Sequence, residues 1–181
     1  MRRGITLLFC LSSLTGCGTT PANSYYTLSV CPPSIDESQG HPGSHLALAS
    51  VRLPALIDRL QVVVRTGPHT VDIEEFDRWA EPLDEMVARV LRQDLDARLG
   101  PQVLGQPITH LYVAIDEFSP NRDGNVALIG RWWIGSDDER NAPLGMHTFT
   151  LTLTANGDQG VQYALAMSLL LGKLADQIVR G

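Results

Sequence analysis

Cysteine is scarce in this chain: Cys10, Cys17 and Cys31 are the only three in 181 residues. No Cys-x-x-Cys pair occurs, which excludes zinc-ribbon and dithiol redox patterns. The five histidines are His41, His45, His69, His110 and His147. No two of them share metal-ligand spacing on a predicted helix. His41 and His45 lie in one Gly/Pro-rich loop, which is weak ground for a metal site. There is no Gly-x-Ser-x-Gly elbow and no glycine-rich phosphate loop. Basic residues are outnumbered, 14 against 20 acidic. An acidic chain without a basic patch is a poor partner for nucleic acid. The acidic residues themselves are spread over helix faces and loops. Asp137-Asp138-Glu139 reads as a solvated turn that could bind a cation only weakly. Nothing here supports an enzyme, and no metal or other cofactor is called for.

The informative features begin at the N-terminus. Arg2 and Arg3 precede an apolar run from Ile5 to Leu14, the pattern of an export signal. That run is roughly half of the about 20 residues a spanning helix needs, so a permanent transmembrane anchor is not expected. Leu14-Thr15-Gly16-Cys17 resembles the bacterial lipobox, a Leu, two small residues and a Cys. The Leu fits a hydrophobic pocket, the small residues let the backbone extend, and the thiol is alkylated by diacylglycerol. Residues 1–16 are therefore expected to be a signal peptide, with Cys17 the lipidated N-terminus of the mature chain. Acyl chains contribute about 0.8 kcal/mol per buried CH₂, so two or three of them hold a protein on a membrane. Gly18, where an Asp would favour inner-membrane retention, points to the outer membrane, facing the periplasm.

Processing would leave 165 of the 181 residues, with 12 basic and 20 acidic side chains and a net charge of −8. That length suits one domain with a real core. Only Cys31 would keep a free thiol, so no intramolecular disulfide can form. It reads as a buried or loop thiol, with an intermolecular bridge or a nucleophile as the alternatives. Residues 17–24 form a lipidated tether, small and polar, and residues 25–181 a single periplasmic domain.

Within that domain, strands are expected over residues 25–30, 46–53, 61–65 and 70–74, the last two as a hairpin. A helix follows over about 82–99. Pro82 suits its first turn, and Gly100-Pro101 stops it. Leu83, Met86, Val87, Val90, Leu91, Leu95 and Leu99 recur at three- and four-residue spacing. Asp84, Glu85, Arg89, Arg92, Gln93, Asp96 and Arg98 are assigned to the opposite, solvated face. Three more strands read at 109–118, 125–134 and 146–155. In the last, Phe149, Leu151 and Leu153 alternate with Thr148, Thr150, Thr152 and Thr154, the half-buried pattern of an antiparallel sheet. The expected fold class is α+β: one mainly antiparallel sheet with two helices, about 82–99 and 159–179, packed on one face.

The second helix is apolar nearly all round. Val161, Ala164, Leu165, Ser168, Leu169, Gly172, Ala175, Ile178 and Val179 supply its expected core stripe. Tyr163, Ala166, Met167, Leu170, Leu171 and Leu174 add apolar surface elsewhere. Such a helix is buried on more than one side, by a second subunit or between sheet and loops. Trp132 and Trp133 are adjacent in a strand and so point to opposite faces. One enters the core, and the other is either covered or exposed for contact. Trp79, in Arg78-Trp79-Ala80-Glu81-Pro82-Leu83, reads either as a plug at the helix N-terminus or as an interface anchor.

Taken together, these segments resemble the PqiC (YmbA) family of ABC-type transport auxiliary lipoproteins. Tyr25-Tyr26-Thr27-Leu28 follows the lipidated Cys as it does there. Leu53-Pro54-Ala55-Leu56-Ile57-Asp58-Arg59-Leu60-Gln61-Val62-Val63-Val64-Arg65 is similar to the family's Leu-Pro…Leu-Asp-Arg-Pro-Gln-Ile-Val…Arg block. Leu60 departs from its usual Pro, and Ile57 from its usual Leu. The 78–83 hexapeptide and the apolar C-terminal helix match as well.

The resemblance implies the outer-membrane lipoprotein of a Pqi-type intermembrane lipid transport system that supports envelope integrity. It would dock a periplasm-spanning MCE-domain, PqiB-like partner at the outer membrane, as a homo-oligomer, with a ring around the end of a tubular partner as the expected geometry. Arg78, Trp79, Trp132, Trp133, Tyr163, Met167, Leu170 and Leu174 are the expected partner or self-association surface. A lipid-binding carrier lipoprotein is the alternative, and a lipid-tethered enzyme the least favoured reading.

Overall fold

The computed structural model describes residues 21–33, 46–100, 108–135, 145–155 and 159–181. Cys17, the signal segment, His41, His45 and Asp137-Asp138-Glu139 lie outside the described residues. The elements in chain order are β1 (Ser24–Tyr26), β2 (Leu46–Arg52), β3 (Gln61–Gly67), β4 (Thr70–Trp79), α1 (Leu83–Leu99), β5 (Thr109–Pro120), β6 (Asn125–Ile134), β7 (His147–Thr154) and α2 (Gln159–Arg180).

The α+β class and both helices are as the sequence predicts, but the strands divide over two sheets. One has the order β1-β4-β3, the other β2-β5-β6-β7. The hairpin of β3 and β4 and the β5–β6–β7 meander are antiparallel. The two N-terminal strands differ, because β1 pairs parallel with β4 and β2 parallel with β5. Parallel neighbours need long crossovers, and α1 carries the chain from β4 in one sheet to β5 in the other. The sheets meet where Arg65 bridges Asn121 and Arg65 Nε donates to Glu117 at 3.1 Å.

α1 begins at Pro82, whose carbonyl accepts from Met86 N at 3.1 Å. Asp84 and Glu85 sit in its first turn, where acidic groups favour the helix dipole. Gly100 ends it with φ 72°, a left-handed conformation that suits glycine. The predicted apolar stripe is buried from Leu83 to Leu99. Arg98, expected in solvent, is instead 5 % exposed, because its guanidinium is enclosed by the groups described below.

α2 packs on α1 and also touches β1, β5, β6 and β7. Its two-sided burial is thus met within one chain, by α1 and the four-stranded sheet. Tyr163, Ala164, Met167, Leu170, Leu171, Leu174, Ala175 and Ile178 are buried. The expected core stripe is buried at Ala164, Ser168, Gly172, Ala175 and Ile178, but Val161, Leu165 and Leu169 are 53 %, 51 % and 38 % exposed. A helix apolar on most of its circumference leaves its buried face undefined by periodicity alone.

Candidate functional site

The segment after β1 ties the first strand to both helices. β1 ends at Tyr26, four residues earlier than the alternation suggests. Its last carbonyl accepts from Ala80 N at 2.8 Å, and Tyr26 Oη donates to Asp77 at 2.9 Å. The chain then leaves the sheet and crosses both helices as an extended strap. Leu28 is buried in the core, and its N–H points at Met86 Sδ, 3.1 Å away on α1. Ser29 N donates to Ser168 Oγ of α2 at 3.0 Å. Cys31 N donates to Asp94 Oδ1 of α1 at 2.8 Å. One short stretch is therefore fixed alternately to the two helices, and each buried backbone donor finds a side-chain acceptor.

Glycines in α2 give the strap its room. A Cβ on Gly172 would lie 2.8 Å from the Cβ of Cys31, and one on Gly160 would lie 2.1 Å from Tyr26 Oη. Gly172→Ala is expected to destabilise the domain by up to about 2 kcal/mol. Overpacking costs about 1–3 kcal/mol, and about 1 kcal/mol of helix propensity returns. A lowered urea midpoint checks this; an unchanged or raised midpoint would mean the strap yields freely at this point.

The far end of the strap is closed by a charge cluster. Arg98 Nη1 donates to the Cys31 carbonyl at 3.1 Å and to the Asp94 carbonyl at 2.9 Å. Arg98 Nε donates to Asp176 of α2, and Arg98 Nη1 lies 3.5 Å from Asp94 Oδ1. Asp94 is 0 % exposed, and its Oδ2 has no hydrogen-bond partner among the described residues. Burial pushes its carboxyl up to about 6, against the lowering effect of the Cys31 N–H and Arg98. The Cys31 thiol is raised as well, by burial first and by Asp94 next. A thiol kept protonated is a poor nucleophile, so the cluster is a clasp, not a reactive centre. Asp94 is absent from the sequence reading, yet positions 94 and 98 fall on the apolar stripe of α1, which was the available signal.

Beside the strap lies an open groove of about 290 Å³, lined by Tyr25, Tyr26, Thr27 and Ser29 on one side and Val161, Ala164, Leu165 and Ser168 on the other. Tyr25 is 63 % exposed there. Among the described residues no group of His, Cys, Asp and Glu could hold a metal, and no helix is long and apolar enough to cross a membrane.

The residues expected to form a partner surface are elsewhere. Trp79, Trp132, Trp133, Tyr163, Met167, Leu170 and Leu174 are all buried, and Arg78 is half-buried. The two adjacent tryptophans do point to opposite faces, but both faces are covered. Trp132 joins the main core and stacks on His147 with centroids 4.0 Å apart. Trp133 stacks on Tyr112 at 5.7 Å, with the Arg52 guanidinium 5.6 Å from its ring. Tyr163 turns inward and donates its hydroxyl to the Asn121 carbonyl at 3.3 Å. Arg78 apart, these side chains lie in the interior of the chain, which corrects their expected place on an exposed surface.

Residues 26–179, nearly all of the described fold, match the family model of the ABC-type transport auxiliary lipoprotein component. The chain belongs to that family. The match begins at Tyr26, within β1, and takes in the strap and both helices. The chain is 28 % identical over 125 residues to the intermembrane transport lipoprotein PqiC of Escherichia coli (strain K12), covering 66 % of this chain and 67 % of that one. PqiC of Shigella flexneri gives the same figures. An uncharacterised protein of known crystal structure shares the fold with a TM-score of 0.71 at 22 % identity, over 88 % of this chain and 98 % of its own. A Xanthomonas campestris protein does so with a TM-score of 0.61 at 16 % identity, over 87 % and 92 %. As a family member the chain is a transport auxiliary lipoprotein, and this is not an enzyme class.

Proposed function

We propose that this auxiliary lipoprotein serves a Pqi-type intermembrane lipid transport system as its outer-membrane component. In this reading residues 1–16 are removed, Cys17 carries the lipid, and residues 17–24 tether a domain that docks a periplasm-spanning MCE-domain partner. Gly18 supports the outer-membrane assignment, and the likeness to PqiC supports the transport role. The observation that carries the docking role is the strap. Its backbone is bonded to α1 through Asp94 and to α2 through Ser168. A load applied to the domain by a partner is thereby passed to the tether through both helices instead of peeling away one strand. That is the requirement for a mechanical anchor, and it needs no catalytic group. A homo-oligomer, ring-shaped around the end of a tubular partner, belongs to the same reading, with contacts supplied by surfaces other than the buried aromatic and α2 residues.

Two measurements test it. Cys17→Ala is expected to abolish acylation and release the protein from the membrane fraction; membrane retention of the processed variant would overturn the lipid assignment. Affinity capture of the membrane-anchored protein after cross-linking is expected to recover an MCE-domain protein, and repeated capture without one would overturn the docking role. Light scattering on the lipid-free domain reads the oligomer, and a strict monomer at high concentration would count against the ring.

A further inference from the structure

Five exposed residues of α2 recur every four positions: Val161, Leu165, Leu169, Lys173 and Gln177. The first three are apolar and extend about 12 Å along the helix. Tyr25 of β1 faces the same groove, and Val30 of the strap is also exposed. A patch of this kind on a chain of net negative charge asks for an occupant.

The charge pattern singles out that occupant. Residues 17–35 contain no charged side chain, and neither do residues 159–172. The fold brings Tyr25–Ser29 of the first stretch against Val161–Ser168 of the second. In a mature chain of net charge −8, this is the face that can approach an anionic bilayer without carboxylate repulsion. Asp94 and Arg98, which meet Cys31, are buried in the clasp, and Asp77 and Arg78 lie on β4, paired with β1. Asp77 accepts from Tyr26 Oη, and Arg78 Nε donates to the Glu75 carbonyl. At the other end the line passes into Lys173, whose stem can lie on apolar surface while its ammonium meets phosphate. Tyrosine is itself favoured at the membrane interface.

The tether fixes the distance. Six residues, 18–23, lie between Cys17 and Ser24. Even fully extended, that length of chain reaches at most about 25 Å. The lipid therefore holds the β1 end of the domain, where the patch lies, close to the headgroups. We infer that the face formed by Tyr25, Val161, Leu165 and Leu169 rests on the phospholipid surface that the acyl anchor enters. This sets the domain's orientation on the membrane and turns the opposite side toward the periplasm. The inference rests on Cys17 being lipidated and not on the identity of any partner.

The test uses the mature lipidated protein in vesicles of phosphatidylethanolamine and phosphatidylglycerol doped with brominated phosphatidylcholine. Trp79, Trp132 and Trp133 are buried, so bromine should leave their emission nearly unchanged. Leu165→Trp adds a fluorophore on the patch, and Gln177→Trp adds one at the far end of the same line. The Leu165→Trp emission is expected to lose about half or more of its added intensity to brominated lipid, with the Gln177→Trp signal little affected. Leu169→Trp provides a second probe should the first variant fold poorly. Equal quenching at 165 and 177, or none at 165 and 169, would overturn the inference. So would a Trp at 165 shielded from both bromine and aqueous acrylamide, which would place protein, such as a second copy, on the patch. Protein that does not float with the vesicles overturns the lipid assignment and this orientation with it. Partner capture is a separate measurement, so failure of docking and failure of the membrane-facing orientation are distinguishable.

Discussion

Arg98→Leu is expected to lose about 3–5 kcal/mol of stability, the usual cost of stranding a buried charge. The guanidinium serves Asp94, Asp176 and the Cys31 carbonyl together. Its removal leaves the Asp94 carboxylate in a fully buried position with one backbone N–H as its remaining partner. Most of the loss should return in the Asp94→Asn, Arg98→Leu double variant, because a buried amide can still accept from Cys31 N without a net charge. Urea denaturation of the two variants measures this. Equal midpoints for the single and double variants would show that the cost is packing and not stranded charge. Amide exchange at Leu28, Ser29 and Cys31 should rise first in Arg98→Leu, since these are the strap positions the clasp secures.

The same carboxyl gives the clasp a pH dependence with a definite sign. Its folded value, about 6, lies above the ordinary 3.8. The folded state therefore holds the proton more tightly than the unfolded state. This favourable contribution is fully present below the unfolded value and is lost as pH rises through the folded one. Between about pH 4 and 6 the group lowers stability as pH increases, by at most about 3 kcal/mol. The wild-type urea midpoint should gain on going from pH 7 to pH 5 relative to Asp94→Asn, which lacks the slope. Parallel pH profiles for the two proteins would refute the assignment. Arg98→Leu should be relieved at the lower pH, because protonation removes the charge it strands.

These groups show where sequence patterning reaches and where it stops. The alternation of β7 was readable: Phe149 is buried, and Thr148, Thr150, Thr152 and Thr154 are exposed. So was the stripe of α1, with Pro82 and Gly100 at its ends. The clasp was half legible, since an Asp and an Arg four residues apart on an apolar stripe must be paired or costly. The split into two sheets was not legible. The pairings that create it, β1 with β4 and β2 with β5, join segments far apart in the chain and leave no local periodicity. The face of α2 was hidden by its own uniform apolar character. For Trp133 the sequence shows that it opposes Trp132. It does not show that Tyr112 and Arg52 converge on its ring.

Trp79→Ala separates the interior reading of the aromatic residues from a surface one. Trp79 is buried at the end of β4, where its N–H donates to the Leu60 carbonyl at 2.7 Å and its backbone pairs with Tyr26 of β1. Truncating a buried Trp costs about 3–5 kcal/mol. The cavity would open beside the one short strand that leads into the strap, so β1 should fray before the four-stranded sheet does. The neighbouring Arg78→Ala removes a half-buried side chain whose Nε reaches only the Glu75 carbonyl at 3.3 Å. That change should stay within about 0.5 kcal/mol, as for most surface substitutions. The pair of urea midpoints decides between the readings. A large shift for Trp79→Ala with almost none for Arg78→Ala fits a residue that holds the strap's entry point. An interface anchor would give the reverse signature, an unshifted midpoint with partner capture lost. Because the strap joins β1 to both helices, destabilising Trp79 should also raise amide exchange at Leu28 and Ser29, which an exposed anchor has no means of doing.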